Sequence, residues 1–210
     1  MKLSNNFSLK EMVASQTAER KGINNNPSED HMNNLKLLCE NVLQPIRDHF
    51  GKVVSVSSGY RSEDLCEAIG SSKTSQHAKG QAADFEIFGV SNQELVIWID
   101  KNLDYDQMIL EFWKGPDEPN SGWVHVSYKS EGNRKQLLRA YKKDGRTAYE
   151  EYKYWTPNEL NNMFMKYRSV WGLTDCLYYD ILWLVKYESE NTMAKKFNFI
   201  DLDKSKLPVT

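Results

Sequence analysis

Apolar positions recur at helical spacing between Ser28 and His49, where Met32, Leu35, Leu38, Cys39, Val42, Leu43 and Ile46 form one stripe. This segment reads as an amphipathic helix. Pro45 should kink it or end its regular part, because proline has no amide hydrogen for the ladder. Val53, Val54 and Val56 then suggest a strand, closed by Ser57-Ser58-Gly59. A short helix is expected around Glu63 to Ile69, and Ser71 to Gly80 is polar and loop-like. Ala82 to Phe88, Gln107 to Trp113 and Trp123 to Tyr128 read as three more strands. Ser8 with Glu11, and Ser91 with Glu94, are capping-box patterns. They open a short helix near Leu9 and a longer one running to about Asn102. Leu137 to Tyr152 reads as a hairpin, because Asp144-Gly145 is a strong tight-turn signal. The expected class is α+β, with a small central antiparallel sheet flanked by helices.

The pattern changes near Trp155. Thr156-Pro157 begins one helix, and Thr174 to Glu190 reads as a second. Both are rich in aromatics, among them Phe164, Tyr167, Trp171, Tyr178, Tyr179, Trp183 and Tyr187. A boundary near residue 150 therefore separates a first domain, 1–150, from a helical extension, 151–210. Helical aromatics usually form core. The alternative is a docking surface for a wall polymer, a membrane or a partner protein. Asp201 to Thr210 reads as an extended tail without evident chemistry.

A length of 210 residues suits one substantial domain, or one domain with an appendage. A formal net charge of -2 supplies no basic field for nucleic acid. No apolar run approaches the roughly 18 residues of a membrane span. The N-terminus, MKLSNNFSLKEMV, lacks the apolar core of a secretory signal. Action outside a cytoplasm would thus need another route of release. Cys39, Cys66 and Cys176 are far apart and in no C-x-x-C pair, which reads as free thiols in a reducing compartment.

Two of the four histidines sit in unusual company. His77 lies in Ser75-Gln76-His77-Ala78-Lys79-Gly80-Gln81-Ala82-Ala83-Asp84, and His125 in Trp123-Val124-His125-Val126-Ser127-Tyr128. Asp84 interrupts an apolar stretch. In a strand it shares a face with Ala82 and Glu86, while Phe85 and Ile87 take the other. A carboxylate so placed needs a partner, because an isolated buried charge is very costly. A metal ion is one such partner; Lys79 or Arg61 is another. His77 lies near enough to fold back onto Asp84, and a neighbouring strand could present His125 beside it. Two imidazoles and a carboxylate suit zinc with one coordination position open to water.

These motifs, with Ser57-Ser58-Gly59-Tyr60-Arg61-Ser62, resemble in content and order those of the zinc D-Ala-D-Ala carboxypeptidase family, which includes phage endolysins and related peptidoglycan peptidases. The flanking pattern from Phe7-Ser8-Leu9-Lys10-Glu11 to Gly22-Ile23-Asn24 and Pro27 is similar too. The resemblance covers about residues 5 to 130. It implies a hedgehog-like zinc peptidase fold, with His77, Asp84 and His125 as zinc ligands. It also implies that Arg61 helps hold the peptide substrate, where a guanidinium forks onto carboxylate oxygens. The alternative for Arg61 is a structural ion pair. Ser75 and Gln76 either donate hydrogen bonds in the site or fix the loop.

Many relatives place an acidic residue three positions before the last histidine, where this chain has Gly122. The general base is therefore expected to be Glu111, at the end of the strand-like run from Tyr105. Asp106, Asp117 and Glu118 are rivals, and Gln107 could orient a ligand or the substrate. The implied function is zinc-dependent hydrolysis of peptidoglycan stem peptides by an endolysin-like, phage-derived enzyme. Such an enzyme is made in the host cytoplasm and acts on the wall after release or within a virion, where residues 155–210 could meet partner proteins. Two alternatives remain: a carboxypeptidase that trims D-Ala-D-Ala, and a non-catalytic or virion-associated protein that keeps the zinc fold.

Overall fold

Serine side chains open the helices. In the computed structural model, which describes residues 1–154, the Ser8 hydroxyl accepts from the Glu11 amide and starts α1 (Leu9–Met12). Ser15 does the same for α2 (Gln16–Lys21) through the Ala18 amide. Each oxygen satisfies an amide that the first helical turn leaves unpaired. The hydrophobic pattern did not announce α2, because Ala18 is its one buried residue.

The amphipathic segment is helical throughout but not uniform. It comprises α3 (Glu29–Leu38), a π-helical turn (Cys39–Leu43) and α4 (Gln44–Phe50). Pro45 cannot donate, and its ring would press on the carbonyl one turn back. The chain widens there, so that the Gln44 amide reaches the Cys39 carbonyl. The disturbance thus falls one turn before the proline and the helix continues past it. Leu35, Leu38, Val42, Leu43 and Ile46 are all fully buried.

The strands are β1 (Val54–Ser58), β2 (Ala82–Ile87), β3 (Gln107–Glu111), β4 (Trp123–Ser127), β5 (Gln136–Lys143) and β6 (Arg146–Glu151). They form one six-stranded sheet in the order β1-β2-β4-β3-β5-β6. Neighbours are antiparallel except β3 and β5, which run parallel. The expectation of a purely antiparallel sheet is thus corrected. After Ser127 the chain passes across the start of β3, where the Lys135 and Gln136 amides donate to the Tyr105 and Asp106 carbonyls. It enters the sheet on the far side of β3, so β3 and β5 are both opposed to β4. At the hairpin tip Asp144 and Gly145 both have positive φ, 50° and 76°, as a two-residue turn between twisted strands requires.

One sheet face carries Val54, Val56, Phe85, Ile87, Met108, Leu110, Val124 and Val126. They pack in a single cluster with the α3–α4 stripe and with Leu95, Val96 and Ile99 of α6 (Asn92–Asn102). The opposite face carries Asp84, His125, Ile109 and Glu111. Among the described residues no helix is long and apolar enough to cross a membrane. Cys39 and Cys66 are buried free thiols, and burial raises the Cys39 thiol to about 12. The expected helices at Thr156 and Thr174, the tail and Cys176 lie outside the described residues.

Candidate metal centre

Antiparallel pairing of β2 with β4 sets Asp84 directly opposite His125. The Asp84 Oδ1 atom and the His125 Nδ1 atom are 2.8 Å apart. His77 arrives from a short 3-10 turn (Gln76–Lys79). The Ser75 hydroxyl caps that turn by accepting from the His77 amide. Gly80 ends it at φ 68°, with its Cα so close to α3 that a Cβ would lie 2.3 Å from the His31 carbonyl oxygen. The turn therefore leaves no room for any residue but glycine, and it delivers His77 to the sheet. There His77 Nε2 lies 3.2 Å from both His125 Nδ1 and Asp84 Oδ1. All three side chains are buried, and together they could hold a metal ion.

The donor chemistry fits a cation. His77 Nδ1 is 2.6 Å from the Gly59 carbonyl oxygen. A carbonyl only accepts, so Nδ1 bears the hydrogen and Nε2 presents its lone pair inward. The carboxylate also only accepts. At most one proton, on His125 Nδ1, then lies among three converging acceptor atoms. Ligands about 2.0–2.2 Å from a tetrahedral ion sit roughly 3.3 Å from one another, close to the spacing found. Burial lowers the His77 pKa, against the pull of Asp84, and so favours the neutral ring that a metal needs. Burial also pushes Asp84 up, but the donors and charges around it in the cluster outweigh burial and hold the carboxyl below its ordinary range.

Arg61 pairs with this cluster. Its Nη2 donates to Asp84 Oδ2 at 2.5 Å, and its Nε donates to Ser58 Oγ at 2.7 Å. A register shift in β1 between Val56 and Ser58 makes this possible, because it brings Ser58 opposite Asp84. The guanidinium thus occupies one carboxylate oxygen and leaves the other to face the histidines. It also lines one wall of a cleft of about 520 Å³ that extends to Ser15, Glu19 and Arg20 of the N-terminal region.

Gln76 bonds Asp106 and not the three-residue cluster. Its Nε2 donates to Asp106 Oδ2 at 2.7 Å. Asp106 is 1% exposed and also accepts from Lys129 at 2.8 Å and from Arg134 at 2.6 Å. Burial raises its pKa, but the Arg134 and Lys129 hydrogen bonds outweigh that and hold it below the ordinary carboxylate range. So engaged, Asp106 is unavailable as a base. Gln107 bonds Gln136 across β3 and β5 at 2.7 Å. Asp117 and Glu118 are exposed.

Glu111 shares the face of Asp84 and His125, two residues along β3 from Ile109, the partner of His125. Burial, then the Asp84 charge, raises its pKa, against His125 and Arg61. Position 122 cannot carry an acid in this backbone. Gly122 has φ 70°, and a Cβ there would lie 1.7 Å from the Glu111 carbonyl oxygen. The sequence carried no direct sign of the Gly59 carbonyl as the partner of His77; the only hint was a glycine closing a strand. The other two histidines lie elsewhere: His49 stacks on Trp98 at 4.2 Å, and His31 lies 5.5 Å from Tyr60.

Comparison with curated proteins gives no match. A family model described as Peptidase M15 matches residues 5–127, more than half of the chain and the whole span from α1 to His125. M15 peptidases are metal-dependent, typically with zinc. Together with a buried triad able to hold such an ion, the match establishes that this chain belongs to the M15 family of metallopeptidases.

Proposed function

We propose that the protein is a zinc metallopeptidase that hydrolyses peptide bonds in peptidoglycan stem peptides, in the manner of a phage endolysin. The observation that carries the catalytic reading is Glu111, a half-buried carboxyl of raised pKa on the same face as the three converging donors. The motif resemblance around Arg61, His77 and His125 supports the cell wall as target.

In this reading His77, Asp84 and His125 would hold the ion, which would supply Lewis acidity at the site. Glu111 takes a proton from the attacking water as the new C–O bond forms. It returns that proton to the leaving nitrogen as the C–N bond breaks. Its raised pKa suits both transfers, because a group nearer neutrality gives up its proton as readily as it takes one. Arg61 keeps Asp84 ionised and oriented, and its remaining N–H groups are available to a substrate carbonyl or carboxylate. Ser75 and Gln76 act on the loop in this reading, not on the substrate. Synthesis in a host cytoplasm, with action on the wall after release or within a virion, belongs to the same proposal. So does a role of residues 155–210 toward virion partners, on their aromatic composition alone.

Zinc-loaded protein should release new amino groups from purified peptidoglycan, and mass spectrometry of the products should identify the bond. Undiminished cleavage by a His125→Ala variant would overturn the proposal. Tight zinc binding with no cleavage would favour the non-catalytic reading that Gly122 first suggested.

A further inference from the structure

The family match ends at residue 127, and the β5–β6 hairpin lies wholly beyond it. That hairpin nevertheless extends the sheet that carries Asp84 and His125. Parallel pairing sets Ala140 opposite Glu111, and antiparallel pairing sets Tyr149 opposite Ala140. Residues opposed on neighbouring strands share a face. Trp123, Glu111, Ala140 and Tyr149 therefore form one row across the sheet, on the face of the metal triad. Between Glu111 and Tyr149 the row holds only the methyl group of Ala140, which leaves the two longer side chains free to approach above it.

Tyr149 is 56% exposed, an unusual state for a large aromatic side chain on a strand. Its hydroxyl donates to no side chain or carbonyl among the described residues. Burial, then the Glu111 charge, raises its pKa above the ordinary tyrosine value. It is thus a neutral donor at physiological pH, within electrostatic reach of Glu111. A tyrosine offers a flat apolar ring and a hydrogen-bond donor at low entropic cost.

Direction follows from the sheet order. Arg61 follows β1, Asp84 lies on β2 and His125 on β4. Glu111 lies on β3, and Tyr149 lies two strands further on the same side. The carboxyl that protonates the leaving nitrogen faces the leaving half of the substrate. With strands about 4.8 Å apart, Tyr149 lies roughly 10 Å beyond the Glu111 strand, the length of about three extended residues. We infer that Tyr149 is a substrate-positioning residue of the leaving-group side, holding the peptide two to three residues past the scissile bond. This rests on the proposed role of Glu111 in a peptidase. It implies a substrate that continues beyond the cut, hence an endopeptidase.

The test uses the full zinc-loaded chain, a stem peptide that it cuts, and the same peptide shortened to one residue past the cut. Tyr149→Ala should lower kcat/KM about tenfold on the longer peptide, through KM, with kcat within about twofold. It should leave the shorter peptide unaffected. Tyr149→Phe should fall between wild type and Tyr149→Ala if the hydroxyl donates. Binding of the longer peptide to the metal-free protein, read by calorimetry, should weaken by a similar factor. Equal effects on both peptides, no effect on either, or cleavage confined to a terminal residue would overturn the inference. Wild-type protein that cuts no stem peptide, yet binds one more tightly than Tyr149→Ala does, would instead overturn the peptidase reading and leave the binding role standing.

Discussion

In the proposed mechanism two residues separate metal binding from proton transfer. His125 contributes a donor atom to the triad, whereas Glu111 lies beside it without joining it. His125→Ala should therefore lower zinc affinity by at least about 100-fold, since even residues behind the ligands are worth 10- to 100-fold. Glu111→Gln should keep zinc affinity within a few-fold and lower kcat by about 10²- to 10⁴-fold. Chelator competition with zinc, paired with peptide kinetics, distinguishes the two. Glu111 also predicts a pH effect on the metal-free fold. Its folded pKa lies above the ordinary glutamate value, so the unfolded chain gives up this proton first. The folded state then loses stability as pH rises from the ordinary value through the raised one. Glu111→Gln should accordingly raise Tm at neutral pH, and the gain should vanish below the ordinary glutamate pKa. Calorimetry at several pH values reads this, and a gain that persists in acid would show a packing effect instead. At this scale alternation made the faces of Asp84 and His125 legible, because strand period fixes direction. The partner of Arg61 was open between peptide and ion pair, because the register shift at Ser57 that brings Ser58 opposite Asp84 leaves no mark on a single sequence.

The elements hold the site through backbone contacts that a side chain would destroy. Gly122 sits where its α-hydrogen meets the Glu111 carbonyl, in a left-handed conformation. Restoring an acid there by Gly122→Glu should not rescue a Glu111→Gln variant. The backbone conformation alone should cost about 1–3 kcal/mol, visible as a lower Tm, and the collision should add to that. A variant of unchanged Tm with restored cleavage would show that this turn is far more pliable than its packing implies. The buried Asp106 does comparable work for the His77 loop, through Gln76. Asp106→Asn removes the charge that Lys129 and Arg134 surround and should cost about 1–3 kcal/mol, tempered because both cations are partly exposed. The Asp106 pKa is depressed, so this contribution is present above the ordinary carboxylate pKa and is lost as pH falls through the folded one. Wild type and variant should therefore converge in stability in strong acid. Elements with their own local signal, such as the Asp144-Gly145 hairpin and the Ser8 cap, were legible. The parallel pairing of β3 with β5 was not, because it depends on a loop crossing between strands distant in sequence, and no residue announces it.

Across the molecule the sheet divides two tasks between its faces. One face buries Phe85, Ile87, Met108, Leu110, Val124 and Val126 under α3, α4 and α6. The other face presents the triad and Glu111. Apolar burial contributes about 25 cal/mol per Å², and none of that area is supplied by a ligand atom. The fold should therefore survive removal of the metal, unlike small domains whose structure is organised by a metal ion. The site itself has a reason to loosen. Without a cation, His77 Nε2 and Asp84 Oδ1, both acceptors, face one another 3.2 Å apart in a buried setting, with Arg61 neutralising Asp84 from behind. Exhaustive chelation should leave far-UV circular dichroism unchanged and a cooperative melt intact, while peptide cleavage disappears. Adding zinc back at about 100 times its Kd should raise stability by about 2.7 kcal/mol, or several degrees in Tm at this size. The His125→Ala variant should show little of that gain. Loss of secondary structure on chelation would mean that the metal organises the sheet and that the apolar face alone cannot hold it.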